Sequence, residues 1–107
     1  MNNLYNRRRG TNRSGSNFSE TEIQNVWEKG KIIPGQDAKL WRKDVCGATI
    51  YRHHHGNENV KTGWQNDHIV PVSKGGSDDL SNLQPLQWEN NQHKSDDYPN
   101  WTCYLRS

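Results

Sequence analysis

The stretch WQNDHIVPVSKGGSDDLSNLQPLQWENNQHKS, residues 64–95, decides how this chain is read. Ile69, Val70 and Val72 follow Asp67 and His68, and Pro71 cannot donate to a central ladder, so a short edge strand is predicted over 64–72. Adjacent residues of a strand point to opposite faces, which separates the Asp67 side chain from that of His68. A carboxylate suits a hard divalent cation, while an imidazole with an ordinary pKa of about 6.5 suits removal of a proton from water.

Residues 73–81 form a loop, with Gly75 and Gly76 free to take positive φ and Ser77, Asp78 and Asp79 able to bond local backbone. Leu80, Leu83 and Leu86 return the chain, and Pro85 marks a second edge strand. At its start, Asn82 carries an amide able to bond backbone groups on both sides and so pin the loop. Residues 87–95 read as a short helix that sets Trp88, Asn91, Lys94 and Ser95 along one side. Asn90 and Asn91 are poor helix formers, which points to a role other than helix stability. Asn91 can offer its carbonyl oxygen to the same ion as Asp67, and Lys94, one turn on, can meet a phosphate oxygen. The set describes a metal-dependent phosphodiesterase site.

The run Asp67-His68-Ile69-Val70-Pro71, then Gly75-Gly76, Asn82-Leu83-Gln84-Pro85-Leu86 and Asn91-x-x-Lys94, resembles the ββα-metal motif of the HNH endonucleases. The spacings of fourteen residues from His68 to Asn82 and nine from Asn82 to Asn91 are similar to that family's. The resemblance implies that Asp67 and Asn91 ligate one divalent ion, Mg2+ with Mn2+ or Ni2+ as alternatives, and that His68 is the general base. It also implies that Asn82 orients the loop and through it His68, and that Lys94 contacts a phosphate. Many members carry a structural zinc on two Cys pairs, but here the corresponding places hold Gln87 and Asn90, so no structural zinc is expected. Gln65 and Asn66 likewise stand where an acidic and an apolar residue usually precede the Asp-His pair.

Outward from this stretch, 107 residues make one small domain with a limited core. With 29% hydrophobic residues, five Trp and four Tyr, aromatics must supply much of the buried area. No apolar run approaches a membrane span or a signal-peptide core, so the expectation is a cytoplasmic protein. Residues 1–17 hold four arginines and no acid, whereas the remaining ten basic residues face twelve acids. They read as a disordered basic tail in which Arg7, Arg8 and Arg9 attract DNA phosphates. A solvated tail that only aids solubility is the competing reading.

Residues 18–107 then form the folded domain. Residues 18–30 are the clearest helix: Ser19 and Glu22 make a capping box, Phe18 and Ile23 a hydrophobic staple, and Gly30 is placed for the C-terminal cap. Ile23, Val26 and Trp27 are its inner stripe. Residues 37–43 are predicted to add a helical turn, and 45–52 a strand with Cys46, Ala48 and Ile50 inward. The run His53-His54-His55 reads as a solvated loop. Cys46 and Cys103 are expected as two buried thiols, and Tyr98, Pro99, Trp101 and Tyr104 as a cover over the last helix.

The predicted fold class is α+β, a single domain built on a ββα-metal motif with an added N-terminal helix. The function the resemblance implies is hydrolysis of DNA phosphodiesters by nicking or double-strand cleavage, with no membrane partner. A nucleic-acid-binding module with an inactive site, and an RNA-cleaving or toxin-type nuclease, are the alternatives.

Overall fold

The computed structural model describes residues 7–107, so the tail expectation for residues 1–6 lies outside the described residues. Helix α1, Glu20–Trp27, starts as predicted, with the Ser19 side chain accepting from Glu22 N–H and the Glu22 carboxylate accepting from Ser19 N–H. Such a cap contributes about 1 kcal/mol. The helix ends short of Gly30 in tighter turns, Lys29 N–H donating to Val26 O and Gly30 N–H to Trp27 O at 3.0 Å each, and Arg42 Nη1 donates to Glu28 O and Gly30 O just beyond it, also at 3.0 Å each.

Three short strands follow, β1 (Lys31–Ile32), β2 (Trp41–Lys43) and β3 (Thr49–Tyr51), paired antiparallel in the order β1-β2-β3. The helical turn expected over 37–43 is only a turn at its beginning, where Asp37 O accepts from Leu40 N and Trp41 N. The rest is strand, because Trp41 packs across the ladder against Tyr51, with ring centroids 4.6 Å apart, a cross-strand pair that a helix would not make. Cys46, Ala48 and Ile50 are all buried, but the strand expected over 45–52 begins only at Thr49: residues 45–47 turn, with Gly47 N–H donating to Asp44 O at 3.0 Å, so Cys46 is buried from a turn and not by alternation.

A second sheet pairs β4 (Trp64–His68) with β5 (Leu83–Gln87), antiparallel, with His68 opposite Leu83 and Asn66 opposite Pro85. Helix α2, Trp88–Lys94, follows β5 without a break, capped by the Gln87 side chain, which accepts from Glu89 N and Asn90 N. One core joins the parts. Phe18, Ile23, Val26 and Trp27 from the α1 region meet Ile50, Trp64 and Leu83, and the Trp27 and Trp64 rings lie 5.2 Å apart. Each of the smaller side chains buried here is worth about 1.5–3 kcal/mol.

Residues 7–17 are not a free tail. Thr11 is 2% exposed, the Asn12 carboxamide folds its own turn by accepting from Ser14 N and Ser16 N, and Arg13 docks on the loop at 75–78. Hydrogen bonds rather than apolar burial hold this segment, so a composition poor in hydrophobic residues did not reveal it. The histidine run is also better placed than a solvated loop: His54 bonds Thr62 Oγ1 at 2.7 Å, and His55 packs edge-on against Trp64 at 4.6 Å.

Cys46 and Cys103 form a disulfide, not two thiols. Asn90 draws the C-terminal segment back along α2 by accepting from Tyr104 N and Leu105 N and donating to Leu105 O, which brings the two Cα atoms to 5.7 Å. That separation is within the range a disulfide spans. Of the aromatics expected as a cover, Trp101 is half-buried beneath α2, while Tyr98 and Tyr104 stay exposed.

Candidate active site

Strand β4 and helix α2 present Asp67, His68 and Asn91 to one cleft of about 200 Å³, rimmed by Arg7, Arg9, Ser95 and Asp96. The alternation of β4 turns the first two side chains apart. Asp67 is tied to α2 by Lys94 Nζ at 3.2 Å and to its cross-strand partner on β5 by Gln84 Nε2 at 2.9 Å. His68 lies on the α1 side, its ring 5.9 Å from that of Phe18 and its Nε2 at 2.8 Å from Asp78 Oδ1.

Burial pushes the Asp67 carboxyl above the usual carboxylate range, against the pull of the Lys94 ammonium and the Gln84 amide. Burial also lowers the His68 imidazole below the ordinary histidine value, opposed by its hydrogen bond to Asp78. Its neutral form is therefore favoured near neutral pH.

Lys94 departs from the expectation of a phosphate contact. Its ammonium is fully buried and donates to Asp67 Oδ1 and to His68 O at 3.0 Å, with the Trp101 ring 6.0 Å away. A cation placed behind the carboxylate holds Asp67 and the strand end in place; it does not face the cleft where a phosphate would arrive.

Asn82 sits where pinning requires. Its Oδ1 accepts from Val70 N at 2.9 Å, and its Nδ2 donates to Val70 O at 3.1 Å and Ser77 O at 2.8 Å, which joins the two ends of the loop after His68. The two glycines of that loop do different jobs. Gly75 takes the left-handed conformation at φ 89°, whereas Gly76 lies so close that an added Cβ would fall 1.7 Å from Val70 O.

Asn91 is aimed by its neighbours. Glu58 accepts from Gln65 Nε2 at 2.7 Å, so Gln65 Oε1 is the acceptor for Asn91 Nδ2, also at 2.7 Å, and the Asn91 carbonyl oxygen is left for the cleft. Among the described residues no group of three or more His, Cys, Asp or Glu side chains is gathered so as to hold a metal ion, so an ion here would rest on a sparser set of oxygens. One carboxylate with spare lone pairs and one oriented amide oxygen suit a hard ion that keeps water and phosphate as its other ligands.

Residues 45–97 match the family model described as HNH endonuclease. The chain belongs to the HNH endonuclease family. No curated protein and no solved structure gives a significant match. The family's function is that of a nuclease, and its substrate is nucleic acid.

In this HNH domain the positions of Gln87 and Asn90, where the resemblance puts cysteines in other members, form a hydrogen-bonded staple. Asp44 Oδ2 accepts from Gln87 N and Asn90 Nδ2 at 3.0 Å each, and its Oδ1 from Cys46 N and Ala48 N. Of the three tail arginines singled out from the sequence, Arg7 and Arg9 reach the cleft rim. Arg8 bonds Asn17 and lines only a neighbouring cavity with His55 and Glu58, a cavity that Arg9 also borders. By sequence Gln65 is only a departure from the family pattern and Asp78 only a turn residue. Both bond site residues directly, and neither carries a local signal of that role. No helix among the described residues is long and apolar enough to cross a membrane.

Proposed function

We propose that the protein is a metal-dependent endonuclease that hydrolyses DNA phosphodiester bonds, leaving 5′-phosphate and 3′-hydroxyl ends. The observation that carries this reading is the convergence of Asp67, His68 and Asn91 on one cleft with arginines at its rim.

Asp67 and Asn91 would hold one divalent ion, Mg2+ foremost, whose chemistry is Lewis-acid stabilisation of negative charge on the phosphate and the departing oxygen. With Nε2 engaged by Asp78, His68 takes a proton from water through Nδ1, and the hydroxide so formed attacks phosphorus in line with the 3′ oxygen. The leaving oxygen takes its proton from solvent. Arg7 and Arg9 meet phosphate oxygens and orient the backbone, contacts that read no sequence. Asn82 keeps the loop closed behind His68, and Lys94 keeps Asp67 in position, so neither needs to touch the substrate.

The test is conversion of supercoiled plasmid by wild type and His68→Ala, each with EDTA, magnesium, manganese or nickel. Metal-dependent nicking or linearisation by wild type alone supports the nuclease and its base, provided His68→Ala still binds metal by calorimetry. Cleavage that survives in EDTA or in His68→Ala contradicts the mechanism. Cleavage of RNA but not DNA would replace the substrate.

A further inference from the structure

Asp78 belongs to the loop between the strands, where its sequence context suggests only a turn residue. In the fold, its Oδ1 stands 2.8 Å from His68 Nε2. A carboxylate only accepts, so Nε2 carries the hydrogen, and the lone pair of the neutral ring is left on Nδ1. The partner of Nε2 thus decides which nitrogen can take a proton from water.

The carboxylate is held from outside the site. Arg13 N–H donates to both of its oxygens, at 3.1 Å and 3.3 Å, across 65 residues of sequence, and Arg13 Nη1 donates to Gly76 O at 3.1 Å in the same loop. From the opposite side Asn82 Nδ2 holds Ser77 O. Asp78 is about one-third exposed while His68 is 4% exposed, so without these anchors the carboxylate would swing to solvent and leave the buried ring unpartnered. Residues 7–13 are fixed in turn, through Arg7 Nη1 donating to Thr11 O at 2.7 Å and through the buried Thr11.

We propose that Asp78 is the positioning residue for His68, selecting its Nε2–H tautomer, and that the N-terminal segment completes this device through Arg13. The inference rests on the proposed nuclease reading for its catalytic meaning. It differs from the electrostatic account of the arm in what it moves. An arm that only attracts phosphates sets KM and its salt dependence, whereas an arm that holds Asp78 sets kcat.

The experiment uses the full chain. Asp78→Asn preserves shape, but the introduced amide can donate to Nε2 and favour the opposite tautomer. Oligonucleotide cleavage should show kcat reduced about ten- to hundred-fold, the usual effect of removing an orienting partner, with KM and melting temperature close to wild type. Long-range 1H–15N spectra should show His68 as Nε2–H in wild type and as Nδ1–H in the variant. Arg13→Ala should lower kcat less, and the double variant should be no slower than Asp78→Asn alone. Wild-type kcat in Asp78→Asn, or an Nδ1–H His68 in wild type, overturns the proposal, and additive losses in the double variant remove Arg13 from it. The spectra read the tautomer without cleavage, so if wild type cut no nucleic acid the nuclease reading would fail while this contact remained testable.

Discussion

Asn91 donates its side-chain amide to Gln65 Oε1 at 2.7 Å, and because Gln65 is itself oriented by the Glu58 carboxylate, the Asn91 carbonyl oxygen can only face the cleft. A ligand oxygen held in this way loses little rotamer freedom when an ion arrives. Gln65→Leu removes the acceptor and leaves the amide free to rotate. Calorimetric titration with Mn2+ should show affinity falling about ten-fold or more, the usual consequence of losing an orienting partner. An unchanged Kd would mean that Asn91 needs no such support.

The Lys94–Asp67 pair makes a different kind of prediction. Lys94→Met keeps most of the side-chain volume and deletes the charge, leaving the buried Asp67 carboxylate with Gln84 as its only hydrogen-bond donor among the described residues. Breaking a buried pair from one side costs about 3 kcal/mol or more. Denaturant unfolding should show a smaller loss in saturating Mg2+ than in EDTA, because an ion at Asp67 replaces the missing positive charge and binds only the folded state. If Lys94 were instead a phosphate contact, the variant would keep its stability in EDTA and raise KM.

How much of this was legible beforehand depended on distance along the chain. Asp67, His68, Asn82 and Asn91 lie within one short stretch, so a spacing pattern and the chemistry of each side chain sufficed to group them. Their supports come from elsewhere, Glu58 through Gln65 and Arg13 through Asp78, and the Cys46–Cys103 bridge likewise joins distant segments. Such contacts are made by tertiary packing, and no local periodicity encodes them. Strands of two or three residues such as β1 and β2 are too short to show alternation, and for this reason 37–43 read as a helical turn. The direction of the Lys94 side chain is hidden from the sequence for a related reason. Helical spacing sets it on one side with Asn91, but only the fold reveals that the ammonium turns inward.

Asn82→Ala removes three hydrogen bonds to the ends of the loop and strands the Val70 N–H and the Val70 and Ser77 carbonyls. The cost should be about 1–3 kcal/mol, seen as a lower melting temperature, together with a fall in kcat as His68 and Asp78 lose their fixed separation. A variant that loses activity at an unchanged melting temperature would contradict the pinning role.

Stability should fall in mild acid through His55. Its ring is packed edge-on against Trp64, its Nε2 makes no hydrogen bond of normal length among the described residues, and burial lowers its pKa against the opposing pull of the Asn66 side chain. The fold therefore prefers the neutral ring. The contribution is fully present above the unfolded value of about 6.5 and is lost as pH falls below it toward the lower folded value, where the unfolded chain binds the extra proton. His55→Phe keeps the aromatic contact and has nothing to protonate, so melting temperature between pH 7 and 5 should decline less steeply than in wild type. His68, lowered by burial in the same sense, leaves part of the slope in place. An equal slope in both proteins would exclude His55 as a contributor.

The three neighbouring arginines should not behave alike. Arg7 and Arg9 border the active cleft, Arg9 from between it and the adjacent cavity, whereas Arg8 turns to Asn17 and lines only the adjacent cavity. A phosphate bound at His68 would lie within the field of the first two, and each contact of that kind changes the logarithmic salt slope of binding by about one. Arg7→Ala and Arg9→Ala should each weaken affinity for a short duplex at low salt and flatten its salt dependence, most clearly with uncleaved substrate in His68→Ala. Arg8→Ala should do less. Equal effects from all three would reduce the arm to a diffuse positive charge and remove the argument that its path across the cleft selects which arginines meet the backbone.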